Sequence, residues 1–349
     1  MTASFSNPDA RYPSHRVSDI VAAAAKHLAG GGLVAFPTET VYGLGADATS
    51  QAAVERVFKL KGRPANNPLI VHVSDTSMAQ AVVASWPTEA ERLAAAFWPG
   101  PLTLVLEKQS ALPQNVTGGG TGVAVRCPDH PIALELLRCF GKPLVGPSAN
   151  PSGRVSPTAA AHVRSYFADQ EVHVLDGGAC RAGIESTVLS LIDNDGPKIL
   201  RPGVVTPREI AAALGCDPAV LAAPSPQSPK QRITAHGTSG ALPAPGMLAV
   251  HYAPATRAIL IHAAAIREAL ADQTPRIAAL TISPMPASGD HLIIPMLADA
   301  RGYAANLYAG LMRADAVKPD LIMIERPGIS SDDALWAAIL DRLERATSA

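Results

Sequence analysis

A chain of 349 residues is about twice the size of an ordinary single domain, so two folding units are expected. Hydrophobic residues at 48%, charged residues at 17% and a net charge of -1 exclude an intrinsically disordered chain and a bulk polyanion binder, although a local basic patch stays open. Aromatic residues at 4% are too few for an extended base-stacking platform.

Residues 1–16 read as a tail: Asp9, Arg11 and His15 precede any apolar stretch, which is not the layout of a secretory signal. From Val17 to about Leu214, short β-branched runs alternate with Ala-rich helical stretches, the trace of an α/β domain set at 17–215. Ser18 is expected to cap a helix through Ala29, Gly30–Gly32 to end it, and Leu33–Phe36 to form a short buried strand before a loop at Pro37. Ser50 caps a helix over Gln51–Leu60, Gly62 and Pro64 mark a turn, and Leu69–Val73 is the next strand. Thr88 opens a helix to Trp98. Further strands are expected at Leu102–Glu107, Val123–Arg126, Leu144–Gly146, Val172–Leu175, Thr187–Leu191 and Ile199–Arg201.

After Gly215 the texture changes. Ala222–Gly246 mixes Pro with Ser, Gln and Gly and shows neither helical nor strand period, so 216–256 reads as a linker. From Arg257 to the end, strands at Ile259–Ile261, Ile277–Leu280 and Leu321–Ile324 alternate with helices at Ala264–Ala271, Ala298–Met312 and Asp332–Ala346, the pattern of a small parallel-sheet domain. Cys127, Cys139, Cys180 and Cys216 form no C-x-x-C pair, which argues against a zinc ribbon or a disulfide framework and fits a reducing cytoplasm. No apolar run approaches the ~20 residues of a membrane span, so no membrane partner is expected.

The usual catalytic signatures are absent: there is no G-x-x-x-x-G-K-[ST], no G-x-S-x-G, no H-E-x-x-H, and Gly43-Leu-Gly45 lacks a third glycine. What remains are polar loops at strand ends, where open α/β sheets gather ligands. Thr38-Glu39-Thr40 lies between a buried strand and glycines; alone it reads as a capped turn. Lys59, Lys61 and Arg63 close a helix, and their charges already complement its dipole, but Arg63 has the fork that grips phosphate; Asn67 follows, and His72 inside an apolar run is either a satisfied core histidine or a ligand. Gly146-Pro147-Ser148-Ala149-Asn150-Pro151-Ser152-Gly153, with Ser156 beyond, is a stiff loop of small donors for phosphate or ribose. Arg126, Ser186-Thr187 and Arg201 sit at further strand ends.

Taken together, Val34–Ala46, Lys59–Val73, Phe97–Leu106, Val123–Pro128, Pro147–Ser156, Gly183–Val188 and Leu200–Val204 resemble the YrdC/Sua5 family in the same order. His251-Tyr252-Ala253-Pro254, followed by an α/β module at 257–349, resembles its long two-domain Sua5 form, and the likeness spans about residues 17 to 345. The resemblance implies a twisted mixed sheet with flanking helices plus a smaller Rossmann-like parallel sheet. It also implies a nucleotidyltransferase that condenses L-threonine, bicarbonate or carbon dioxide, and ATP into threonylcarbamoyl-AMP and pyrophosphate. The product serves t6A modification of tRNA position 37 through a downstream tRNA threonylcarbamoyl transferase complex, with contact to tRNA itself left open.

Carried over residue by residue, the resemblance puts Thr40, His72, Arg126, Gly146 and Ser186 on the threonine side. Arg63, Asn67, Ser148, Asn150, Ser156, Arg201 and Tyr252 fall on the ATP side, with Tyr252 and its linker as a lid. Lys61 and Arg63 are the catalytic cations, ATP is a substrate, magnesium accompanies it, and no protein metal site is expected. A polar nucleotide contact usual four residues before the pocket arginine falls on Gly122, beside Thr121. The competing expectation is a non-catalytic module that reads structured RNA by shape and phosphate.

Overall fold

The computed structural model describes residues 14–167, 172–192, 196–221, 251–272, 274–286, 289–328 and 333–348, with residues 14–16 described by backbone only. The stretch of the expected linker from 222 to 250 lies outside the described residues. In chain order the first part runs α1 (Ser14–Ala29), β1 (Leu33–Phe36), β2 (Gly43–Asp47), α2 (Gln51–Lys61), β3 (Ile70–His72), α3 (Thr76–Gln80), α4 (Thr88–Phe97), β4 (Leu102–Glu107) and β5 (Gly122–Arg126). It continues with α5 (Pro131–Phe140), β6 (Leu144–Val145), α6 (Ala160–Phe167), β7 (Val172–Val174), β8 (Thr187–Ser190), β9 (Lys198–Arg201) and α7 (Pro207–Leu214). The second part comprises β10 (Ala258–Ile261), α8 (Ala263–Ala269), β11 (Ile277–Thr281), β12 (Leu292–Pro295), α9 (Ala300–Ala316), β13 (Leu321–Glu325) and α10 (Ala334–Ala346).

Local chemistry accounts for the element ends. Ser50 accepts the Ala53 amide at the start of α2, and Gly62, left-handed at φ 59°, ends it. Thr206 and Glu209 form a capping box with Pro207 at the first helical position of α7. Ser18, expected as a cap, instead lies inside α1, because the apolar stripe of Ile20, Val21, Ala24 and Leu28 extends back to Val17. Pro218–Leu221 forms a short 3-10 turn whose Leu221 is buried in the core of the first domain.

Nine strands form one mixed sheet in the order β7-β1-β2-β6-β3-β5-β4-β8-β9, and four form a second sheet, β10-β13-β11-β12, parallel throughout. The expected mixed sheet plus smaller parallel sheet is therefore observed. α1 and α5 pack Val21, Ala24, Leu28, Leu136 and Leu137 against Val34 and Phe36, burial of each valine, leucine or phenylalanine contributing about 1.5–3 kcal/mol. A third apolar cluster joins the two parts: Val41, Val155 and Ile184 of the first share a core with Tyr303, Leu307, Tyr308, Ile339 and Leu343 of the second. Among the described residues no helix is long and apolar enough to cross a membrane.

Candidate active site

The sheet register builds the site. β3 and β5 run parallel with His72 beside Arg126, so both side chains arrive at the same carboxyl edge. β6 pairs antiparallel with β3, Leu144 opposite His72, and delivers the following Gly146 next to the imidazole. A side chain at Gly146 is impossible without movement: its Cβ would lie 2.6 Å from His72 Nδ1 and 2.9 Å from Phe36 Cζ. The loop between β1 and β2 brings Thr38 and Thr40, and the turn into β8 brings Glu185 and Ser186. These residues line a cleft with Val41, Gly43, Ile70, Pro147, Arg63, Ser148, Arg201, His251 and Tyr252, holding about 540 Å³ of empty space with its open mouth counted.

One half of the cleft is tightly organised around Arg126, which is 3% exposed. Its Nη1 donates to Thr40 Oγ1 at 2.9 Å and its Nε to the Gly100 carbonyl at 3.2 Å. Its Nη2 lies 2.7 Å from Glu39 Oε2 as an ion pair, yet has no aligned hydrogen-bond acceptor. Thr38 and Thr40 share a hydroxyl contact of 2.9 Å. His72 meets the Phe36 ring edge-on at 5.3 Å, and its buried Nδ1 has no hydrogen-bond partner. Burial, followed by the charge of Arg126, lowers the His72 pKa to about 3, so the imidazole is neutral. A buried arginine whose charge is shared with Glu39 and an unpaired imidazole nitrogen, both at one cleft, can receive a small polar molecule bearing a carboxylate.

The other half gathers cations. Arg63 donates through Nε to the Asn67 carbonyl at 3.0 Å, and through Nη2 to Asn67 Oδ1 at 2.6 Å and the Pro68 carbonyl at 2.7 Å. Lys61, 3% exposed, donates to the Ser148 carbonyl at 2.5 Å and to the Asn150 carbonyl. All of these acceptors are neutral oxygens. Arg201 donates through Nε and Nη2 to the Ser186 carbonyl at 3.2 and 3.0 Å and through Nη2 to Ser186 Oγ at 3.2 Å. Burial and then the charge of Arg63 push the Lys61 pKa well below its ordinary value. Burial is also the main cause lowering Arg63 to about 9, with Arg201 adding to it against the opposing influence of Tyr252. Cations that depress one another beside neutral acceptors are relieved by a polyanion, which supplies the missing counter-charge.

The expected site residues therefore come together with three qualifications. Thr40, His72, Arg126, Gly146, Ser186, Arg63, Ser148, Arg201 and Tyr252 line the cleft. Lys61, Asn67 and Asn150 stand one layer behind: Asn67 braces Arg63, and Asn150 holds its own loop through the Pro151 and Arg154 carbonyls at 2.9 and 2.8 Å. Ser156 reaches the cleft only through Glu185, to which its hydroxyl donates at 2.8 Å. Gly122 does not line the cleft: it starts β5 opposite Glu107, four residues and about 13 Å of strand from Arg126, and its Cβ direction is filled by Ile192 and Val105. The sequence reading missed Glu185, Tyr308 and Arg342. The two from the second part converge on a glutamate more than a hundred residues away, and no local pattern announces such a contact.

Comparison with known proteins supplies the rest. The family model for Sua5, YciO and YrdC, described as telomere recombination, matches residues 26–203, and that for the C-terminal domain of threonylcarbamoyl-AMP synthase matches residues 205–348. The chain is 39% identical over 339 residues to a threonylcarbamoyl-AMP synthase of Pyrococcus abyssi, covering 93% of each. It is 33% identical over 355 residues to one of Schizosaccharomyces pombe, covering 90% of this chain and 85% of that one. The crystal structure of P. abyssi Sua5 complexed with L-threonine superposes with a TM-score of 0.82 at 37% identity, covering 94% of both chains. With both of its sheets and nearly its whole length accounted for, the chain belongs to the Sua5/YciO/YrdC family in its two-domain form.

Proposed function

We propose that this chain is a nucleotidyltransferase that makes threonylcarbamoyl-AMP from L-threonine, bicarbonate or carbon dioxide, and ATP, releasing pyrophosphate. The observation that carries the reading is the adjacency of two unlike half-sites in one cleft: the buried Arg126 guanidinium beside a neutral imidazole, and a cluster of cations held on neutral oxygens.

Arg126 pairs the threonine carboxylate while Thr40, His72 and Ser186 orient the rest of the amino acid. The neutral amine attacks carbon dioxide, forming the N–C bond and losing a proton to give a carbamate. A carbamate oxygen then attacks the α-phosphorus of ATP in line, the bond between that phosphorus and the bridging oxygen breaks, and pyrophosphate leaves with its electron pair. No protein nucleophile takes part, so the chain contributes alignment and charge. Arg63 and Arg201 meet phosphate oxygens directly. Lys61 acts from behind by fixing the backbone of Ser148 and Asn150 and adding its charge.

Tyr252, 1% exposed at the cleft, shields the mixed anhydride from water. Magnesium would enter on the nucleotide's own phosphates and offset their charge. The adenylate is then consumed by a transferase that modifies tRNA.

Pyrophosphate release by the purified chain, with each substrate omitted in turn, tests the reading. Release that needs ATP, L-threonine and bicarbonate together is expected. Release indifferent to threonine, or none at all in a chain that binds structured RNA, would refute it.

A further inference from the structure

Apart from the apolar packing of Val41, the second part of the chain meets the cleft at Glu185 and Tyr252. Glu185 lines that cleft, and the Tyr308 hydroxyl on α9 lies 3.1 and 2.9 Å from its two carboxylate oxygens, while Arg342 Nε on α10 donates to it at 3.3 Å. Ser156 Oγ completes the set at 2.8 Å. Arg342, fully buried, also donates through Nη1 to the Pro202 carbonyl at 2.6 Å, the residue after Arg201. Tyr252 is packed between these groups: its ring stacks on Tyr308 with centroids 5.5 Å apart and lies 5.9 Å from the Arg342 guanidinium. Its backbone sits at φ 63°, a left-handed conformation that a bulky side chain keeps only where its surroundings hold it.

The residues reached this way, Ser156, Arg201 through Pro202, and Tyr252, are those assigned to the nucleotide half, Arg201 also donating across to Ser186. Arg126 and His72, in contrast, are held by Glu39, Thr40, Gly100 and Phe36 of the first sheet and its loops.

We infer that Tyr308 and Arg342 are positioning residues for the nucleotide. The C-terminal module is the rear wall of the ATP half-site, and the L-threonine half-site is complete without it. This rests on the proposed function.

The test uses the full chain and measures binding of ATP and of L-threonine separately by calorimetry. Tyr308→Phe keeps the ring against Tyr252 and removes only the hydroxyl from a charged acceptor, so the Kd for ATP should rise about 10-fold. The Kd for L-threonine should stay within about twofold of wild type. Arg342→Lys, which keeps a cation but loses the two-pronged grip on Glu185 and Pro202, should shift ATP in the same direction. Equal weakening of both ligands, or no change in either, would overturn the inference while leaving the proposed function standing. A wild-type chain that binds neither ligand would overturn the proposed function, and the inference with it.

Discussion

Replacing His72 with glutamine tests the electrostatics of the threonine half-site. The imidazole is 2% exposed, stands in register beside Arg126, and is lowered from 6.5 to about 3 by burial first and the arginine second. Unfolded, it titrates near the ordinary value, so between roughly pH 6.5 and 3 the unfolded chain binds a proton that the native one refuses. The stability tied to neutral His72 is thus fully present above about pH 7.5 and is lost progressively as the pH falls below 6.5. At pH 5.0 the gap from 6.5 is 1.5 units, which at about 1.36 kcal/mol per unit is about 2 kcal/mol. Urea denaturation at both pH values, for wild type and His72→Gln, isolates this amount, because the other titrating groups cancel in the double difference. Trp86 and Trp98 report on the first domain, and a Trp336→Phe background silences the second. Wild type should lose about 2 kcal/mol more than the variant on acidification. An equal loss in both proteins would mean that the imidazole protonates normally, and the picture of a dry, cation-crowded pocket would be wrong.

Arg63→Ala removes a cleft cation proposed to meet the phosphates and should lower kcat/KM for ATP by about 10²–10³-fold, as loss of an oxyanion donor does; steady-state pyrophosphate release at near wild-type efficiency would refute that role. Gly146→Ala forces a methyl group to within 2.6 Å of His72 Nδ1 and 2.9 Å of Phe36 Cζ, both buried, so the imidazole must move. The KM for L-threonine should rise about 10-fold while ATP binding by calorimetry stays unchanged. Gly183→Ala demands a left-handed backbone at φ 74° and puts Cβ 2.2 Å from the Ala304 carbonyl on α9, which should cost about 1–3 kcal/mol of stability by urea denaturation. Unchanged stability would show that α9 is not seated against that turn.

Much of the fold was legible because its elements are short and sharply punctuated. Ser50 and Gly62 bound α2 by mechanisms visible in the residues themselves, whereas α7, with its Thr206 capping box, was not expected from the sequence. β2 was not legible. Gly43-Leu-Gly-Ala-Asp47 reads as a turn, yet it lies between β1 and β6 with every residue buried. Its glycine at 43 reflects crowding rather than a bend, since a Cβ there would stand 2.8 Å from Phe36 Cζ. The same ambiguity governs the site. Arg126 and Arg201 could be named because strand ends are where α/β sheets collect ligands, whereas Lys61 turned out to grip carbonyls of a loop nearly ninety residues later. Such a partner is chosen by tertiary packing, for which a basic residue at a helix end gives no sign. Tyr308 and Arg342 are the extreme case: they sit on the buried faces of α9 and α10, where the charge of Arg342 stands out among apolar neighbours but nothing in the sequence names Glu185 as the partner.

The second sheet has the architecture of a nucleotide binder, which makes its use as a wall for someone else's site a question of chemistry rather than of fold. In parallel sheets, ligands enter at carboxyl ends where neighbouring strands send their connections to opposite sides. Here that point lies between β11, whose chain leads on to β12, and β13, which is followed by α10 packed beside β10. Glu325, the last residue of β13, fills it: its Oε2 accepts the amides of Ile282 and Ser283 at 2.7 and 2.8 Å, and its Oε1 accepts the Ser283 hydroxyl at 2.6 Å. Two consecutive backbone amides and a hydroxyl are the donors a phosphate would use, and the chain's own carboxylate already occupies them with the same sign of charge. A nucleotide would have to displace a group that is 7% exposed and satisfied by three hydrogen bonds. The module's reach toward ligand therefore comes from the sides of α9 and α10, through Tyr308 and Arg342, and the phosphates are left to the cations of the first sheet.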